Sequence, residues 1–405
     1  MAQKILKYKM NDSKKNYQPD DVLKLLNESE AKKICSFHSK FPAYYVTPLV
    51  NLPELSKYLG VASIHVKDES HRFGLNAFKV LGGAYAMGAY LAAKLNRDIE
   101  SLSFEELASP EIKAQLGDIT FVTATDGNHG RGVAWAAEQL GQKAVVFMPK
   151  GSCEVRAQNI RNHGAECTIT EFNYDGAVRL ADQMGQEKGW VMVQDTAWDG
   201  YEDIPTWIMQ GYMTLAYESL QQLKAEQIAM PTHIFLQAGV GSFAGAVAGY
   251  FVENLKDNAP KIIVMEPHQS HCLYLSALAN DGQPHNVTGD MLTLMAGLAC
   301  GEPNTVSWPI LRDYTTCFLS LDDSVSANGM RILAAPIKGD ASVVSGESGA
   351  VGMGALYELM KNFENETLKQ SLDLNENSHI LLISTEGNTS PEIYEDIVWF
   401  GRNKY

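Results

Sequence analysis

Between residues 119 and 194 the pattern is regular, though without an internal sequence repeat: short apolar runs alternate with amphipathic stretches across turns marked by glycine or proline. Residues 119–124, 143–148, 165–170 and 189–194 read as strands. Residues 131–140, closed by Gly141, residues 154–162, backed by Gly164, and residues 175–187 read as the helices between them. That alternation leaves few topologies open. Strands joined through a helix lie parallel, and the crossover is right-handed. The expected class is α/β, built on twisted parallel sheet.

The same pattern returns outside this block. Strands are expected at residues 63–68, 233–238, 261–266 and 379–384, and a long amphipathic helix at residues 205–223. At 405 residues the chain exceeds what one core usually holds, so two lobes are expected. The smaller spans residues 88–195 and is inserted into a larger one made of residues 1–87 and 196–405. Residues 1–60 read as a polar arm with helical pieces near 20–26 and 54–59, and Thr47 is held extended by Pro48. Residues 96–118 read as a charged surface stretch.

Charge and cysteine usage exclude several functions. A net charge of −15 argues against nucleic acid or an anionic membrane as the main partner. No apolar run reaches membrane-spanning length. The first eight residues lack an uninterrupted apolar core, so no signal peptide and a cytoplasmic location are expected. The six cysteines form no CxxC pair, and no metal site is expected; Cys272 and Cys300 could still approach one another. The expected partner is a small molecule.

Lys79 stands at a loop-to-helix junction, after Ser70-His71-Arg72-Phe73-Gly74-Leu75-Asn76-Ala77-Phe78 and before a helix that runs through Leu95. A helix N-terminus and the apolar neighbours Phe78 and Val80 both disfavour an ammonium, so a depressed pKa and a nucleophilic amine are expected. The alternative is a lysine that carries its amine out to water. Gly239-Val240-Gly241-Ser242-Phe243-Ala244-Gly245 follows a strand and opens a helix, a geometry that cradles an anion on backbone N–H groups, with the Ser242 hydroxyl as a further donor. The same loop also reads as a tight turn, or as a dinucleotide site with Glu266 on a ribose, although its glycine spacing departs from that fingerprint. Asp126-Gly127-Asn128-His129-Gly130 and Asp195 stand at the carboxyl ends of strands, where open α/β sheets bind ligands; turn and capping roles are the alternatives. His268 and His271 read as surface or supporting residues.

Taken together these segments resemble the fold-type II pyridoxal-phosphate enzymes, the tryptophan synthase β and serine/threonine dehydratase group. Lys67-Asp68-Glu69-Ser70, Arg72 to Lys79, Thr125 to Gly130, Val193-Gln194-Asp195-Thr196 and Ser384-Thr385-Glu386-Gly387-Asn388-Thr389 are more closely similar to the diaminopropionate ammonia-lyases. Asp126 replaces the small serine usual in the dehydratases. The resemblance implies that Lys79 holds pyridoxal 5'-phosphate covalently and that Asn128 bonds its phenolic oxygen. It further implies that Gly239, Val240, Gly241 and Ser242 cradle its phosphate and that Thr385 faces its ring nitrogen. Asp126 and Asp195 become the acid–base carboxylates, the substrate a diamino acid of either configuration, and the assembly a homodimer. Three alternatives stay open from sequence: a serine/threonine dehydratase, a nicotinamide-dependent dehydrogenase using the Gly239 loop, and a catalytically silent cofactor-binding protein.

Overall fold

The structure is a computed structural model and describes residues 4–404; Met1–Gln3, part of the stretch read for a signal peptide, lie outside it. Eleven strands occur among the described residues: β1 (Leu6–Met10), β2 (Leu49–Asn51), β3 (Ser63–Asp68), β4 (Thr120–Ala124), β5 (Lys143–Met148), β6 (Glu166–Ile169), β7 (Val191–Met192), β8 (His233–Gln237), β9 (Lys261–Pro267), β10 (Cys317–Leu321) and β11 (His379–Ser384). They form two sheets, ordered β1-β10-β9-β8-β11-β3-β2 and β6-β5-β4-β7. The second is wholly parallel, and the first is parallel from β10 to β3. Parallel strands are covered by helices on both faces and so read as continuous apolar runs. Every residue of β8 and β10 is buried, and only Lys261 of β9 and His379 of β11 reach the surface within theirs. Among the described residues no helix is long and apolar enough to cross a membrane.

Two expectations are corrected. The N-terminal arm is not a polar appendage: β1 pairs antiparallel with β10, and Leu23, Leu26, Ala31, Ile34 and Phe37 are buried in the main core. The helix Glu28–His38 packs on the long helix Asp203–Ala225, an apolar stripe that the sequence reading missed. The charged stretch 96–118 buries Leu102, Phe104, Leu107 and Ile112 beneath its polar face. Of the two readings open for His268, surface or supporting, the structure takes the second: the residue is buried, its ring bonded to Ser320 and to the carbonyl of Lys4.

A buried charge cluster fixes the segment that leads to Lys79. Lys67 on β3 donates to Glu218, Gln222 and the carbonyl of Thr47, at 2.7, 2.8 and 2.8 Å. Arg72 reaches Glu69 and Glu218, each at 2.7–2.9 Å. Two cations thus face two carboxylates. Burial alone would raise the Glu218 carboxyl, but Arg72 and Lys67 outweigh it and hold it down at about 2. Removing one partner of such a set strands a buried charge. Glu218→Gln is therefore expected to destabilise the protein by about 4 kcal/mol in urea unfolding; a loss under about 1 kcal/mol would show that the cluster is not coupled.

Candidate active site

Parallel strands end on one side, and the loops that leave β3, β8 and β11 converge there. The β3 loop is pinned to the β11 loop. Asn76, in the left-handed region at φ 62°, donates its amide to the carbonyl of Asn388 at 2.7 Å, and its own carbonyl accepts from the N–H of Gly387. Phe78 N–H donates to the carbonyl of Thr385 at 3.1 Å. Lys79 then occupies the N-cap of the helix Val80–Lys94. That helix is packed without slack: a Cβ on Gly211 of the long helix would lie 2.5 Å from the carbonyl oxygen of Leu81.

Lys79 does have a partner. Its Nζ lies 2.8 Å from Oδ2 of Asp195, which follows β7 in the other sheet. Burial works against the charge, yet Asp195 and then Asp126 outweigh it and raise the Lys79 pKa above the ordinary value. The expectation of a depressed, partly neutral lysine is overturned. The local reasoning about apolar neighbours was sound, but a buried carboxylate at contact distance exceeds it. Asp195 is itself brought down to about 2, because Lys79 and His129 outweigh burial. Tyr174 and Gln194 orient its other oxygen, each at 3.4 Å. Nucleophilic attack by Lys79 therefore first requires its proton to pass to an acceptor, and Asp195 is in contact to take it.

Asp126 and Asn128 arrive from the loop after β4. Gly127 adopts φ 149° at an N-cap, so the helix begins at Asn128 rather than at residue 131 as expected. Asn128 donates to Oε2 of Glu386 in a short hydrogen bond. Asp126 Oδ2 is buried and makes no hydrogen bond. His129 lies in the same helical turn but supports structure: Nε2 meets the carbonyl of Val193 at 2.8 Å, and burial pulls its pKa down.

The loop after β8 opens a helix whose N-terminal amides no side chain caps, the geometry that an anion cradle requires. Gly241, at φ 102°, is the N-cap of the helix Ser242–Leu255, and no side chain caps that helix. Its first amides are free to bind an anion. The Ser242 hydroxyl, however, donates to the carbonyl of Asp195 and accepts from Asn304 Nδ2 at 2.7 Å, so toward the cavity Ser242 offers its backbone N–H. Glu266 is not available to a ribose. Both its oxygens accept from the amides of Leu273 and Tyr274, at 2.9 and 2.7 Å, and burial pushes its pKa up to about 8. The dinucleotide reading therefore loses its acidic residue. Cys272 and Cys300 are both free thiols, and Gly239 neighbours each of them.

Lys79, Asn128, Asp195, the loop 239–243 and Thr385 line one cavity with Phe78, Tyr212, Gln237, Gly297, Leu298, Cys300, Ser348 and Glu386. Counted to its open mouth it holds about 540 Å³. These walls fit pyridoxal phosphate: an amine for its carbonyl carbon, uncapped amides for its phosphate, and Thr385 for its ring. Gln237 Nε2 donates to Thr385 Oγ1 at 2.9 Å, which leaves the threonine its own proton to give. Gln237 and Ser348 were not singled out from sequence, Cys300 was read only as a possible neighbour of Cys272, and Glu386 was given no role of its own. Glu386, beside Thr385, and Gln237, at the end of the strand before the Gly239 turn, were within reach.

The family model of pyridoxal-phosphate dependent enzymes matches residues 40–385. The chain is 64% identical over 400 residues to the diaminopropionate ammonia-lyase of Salmonella typhimurium strain LT2, covering 98% of this chain and 99% of that one. It also resembles the diaminopropionate ammonia-lyase of Escherichia coli in complex with an aminoacrylate–PLP azomethine reaction intermediate, with TM-score 0.90, 47% identity and 98% of both chains covered. The same Escherichia coli enzyme in complex with D-serine matches with TM-score 0.91, 47% identity and the same coverage. The chain belongs to the fold-type II pyridoxal-phosphate dependent enzymes and, among them, to the diaminopropionate ammonia-lyase family.

Proposed function

We propose that this enzyme eliminates one ammonia from both D- and L-2,3-diaminopropionate, and that hydrolysis of the resulting enamine by one water gives pyruvate and the second ammonia. The observation that carries the reading is the carboxylate pair around Lys79: Asp195 at 2.8 Å, and Asp126 close enough to raise its pKa. Pyridoxal phosphate supplies an electron sink conjugated to the substrate's Cα. Gly239, Val240, Gly241 and Ser242 hold its phosphate through N–H groups, Asn128 its phenolic oxygen, and Thr385 its ring nitrogen through a hydroxyl. Lys79, as a free amine, would take the Cα proton on its own side. Asp126 is anchored after β4 in the other sheet and serves the opposite side. An amine departs only when protonated, and Asp195 steers the proton that Lys79 carries.

Ammonia and pyruvate release should be compared for both enantiomers of diaminopropionate, for L-serine and for L-threonine. The diamino acids are expected to lead in kcat/KM by about 10²-fold or more. Equal or faster turnover of the hydroxyamino acids would assign a dehydratase instead.

A further inference from the structure

Asp195 and Glu386 line the cavity, Asp126 and Glu347 stand behind its wall, and these four carboxylates face two cations, Lys79 and Arg156. Asp195 is paired with Lys79. Asp126, Glu347 and Glu386 share a single guanidinium, that of Arg156, which is about nine-tenths buried. Arg156 gives its Nε–H to Ser390 at 3.0 Å and stands 3.7 Å from Asp126 Oδ2 and 3.9 Å from Glu347 Oε2, beyond hydrogen-bond length for both. Glu386 is satisfied elsewhere, by the amide of Ser348 at 2.8 Å and by Asn128.

What remains is a set of acceptors without donors. Glu347 Oε1, Asp126 Oδ2 and Ser348 Oγ are buried and have no hydrogen-bond partner. Glu347 is 2% exposed and Ser348 4% exposed. Ser348 lines the cavity, and a Cβ built on Gly297 would lie 2.9 Å from Ser348 Oγ and 3.6 Å from Asp126 Oδ2, so both atoms face the same corner. Buried carboxylate oxygens without partners are costly. A primary ammonium has three N–H donors and no acceptor, the complement of this corner.

We propose that Glu347 and Ser348, beside Asp126, form the seat for the substrate's side-chain ammonium, and that Glu347 selects an amino over a hydroxyl group on Cβ. The inference rests on the diaminopropionate reading above. Ser348 makes the contact from the cavity wall, and Glu347 acts through its charge from behind it. Burial first and then Glu386 raise the Glu347 carboxyl to about 7, with Arg156 opposing them. A bound ammonium is the further cation that keeps it ionised. A hydroxyl in the same place leaves that charge unbalanced and is discriminated against.

The test uses the cofactor-loaded Glu347→Gln enzyme, with its visible absorbance band as the check on loading. Calorimetry would compare L-2,4-diaminobutyrate, whose γ-ammonium cannot leave from Cβ, with uncharged-side-chain L-2-aminobutyrate. The diamino acid is expected to bind about 30-fold more weakly in the variant, and 2-aminobutyrate to change by less than about 3-fold. In parallel, the kcat/KM preference for diaminopropionate over serine should fall by about the same 30-fold factor. Unchanged diaminobutyrate affinity, or equal weakening of both ligands, overturns the seat. Should Glu347→Gln lose the band, Ser348→Ala takes its place, with a loss of about 5-fold expected on the diamino acid alone; no selective loss there also overturns it. A wild-type enzyme inert toward diaminopropionate refutes the reaction itself, whereas an active wild type with an unselective variant refutes only the seat.

Discussion

Lys79→Ala is expected to leave a folded protein whose kcat/KM for diaminopropionate is at least about 10³-fold lower. The substitution removes both the covalent anchor and one proton acceptor. Borohydride should fix the cofactor to the wild type at Lys79, as an added mass on that peptide, and should fix none to the variant. Full turnover by the variant would end the whole assignment. The variant also carries a signature in stability. In the wild type the Asp195 carboxyl lies at about 2, below its ordinary 3.8, because Lys79 and His129 outweigh burial. A depressed carboxyl stabilises the fold above its unfolded pKa, and that share is lost as pH falls from about 4 toward 2. Without Lys79, the largest influence opposing burial is gone, and the Tyr174 hydrogen bond and a His129 whose own pKa burial lowers remain. The cofactor-free variant should therefore be less stable than wild type at pH 7, and the gap should close in acid.

The second large effect concerns configuration. Mirror-image substrates present the Cα proton to opposite sides of the cofactor plane, and one base cannot serve both. Lys79 comes from the loop after β3 in the larger sheet, and Asp126 from the loop after β4 in the smaller. Asp126→Asn keeps the shape and removes the base. Turnover of D-diaminopropionate is expected to fall by about 10²-fold or more, and that of the L form by less than about 10-fold. Steady-state kinetics on the separate enantiomers decide it. Equal losses would leave Asp126 only a binding role.

The site was legible where backbone chemistry is local. Gly239 and Gly241 announce a strand-to-helix turn open to an anion, and the helix Ser242–Leu255 begins there with no side-chain cap. Asp126, Asn128 and Asp195 follow strands, and parallel pairing sends such positions to one edge. Arg156 and Glu347 gave no such sign. Each sits in an unremarkable polar stretch, and only folding brings them to within 3.9 Å of each other, beside Asp126. The strand β10 was missed although Cys317-Phe318-Leu319-Ser320-Leu321 is apolar, and with it the partner that turns Leu6–Met10 into an edge strand.

The order of strands and helices, the glycine turns and the lysine at a helix start are properties of neighbours in the chain, so the sequence by itself determined the α/β class and the position of Lys79 at the start of the helix Val80–Lys94. The charge state of that lysine is not such a property. From its neighbours alone Lys79 should be depressed; in the fold it is raised, because Asp195, 116 residues away, lies 2.8 Å from its nitrogen. Electrostatic energy in a buried site depends on separation in space and on exclusion of water, and neither exists until the two sheets close on each other.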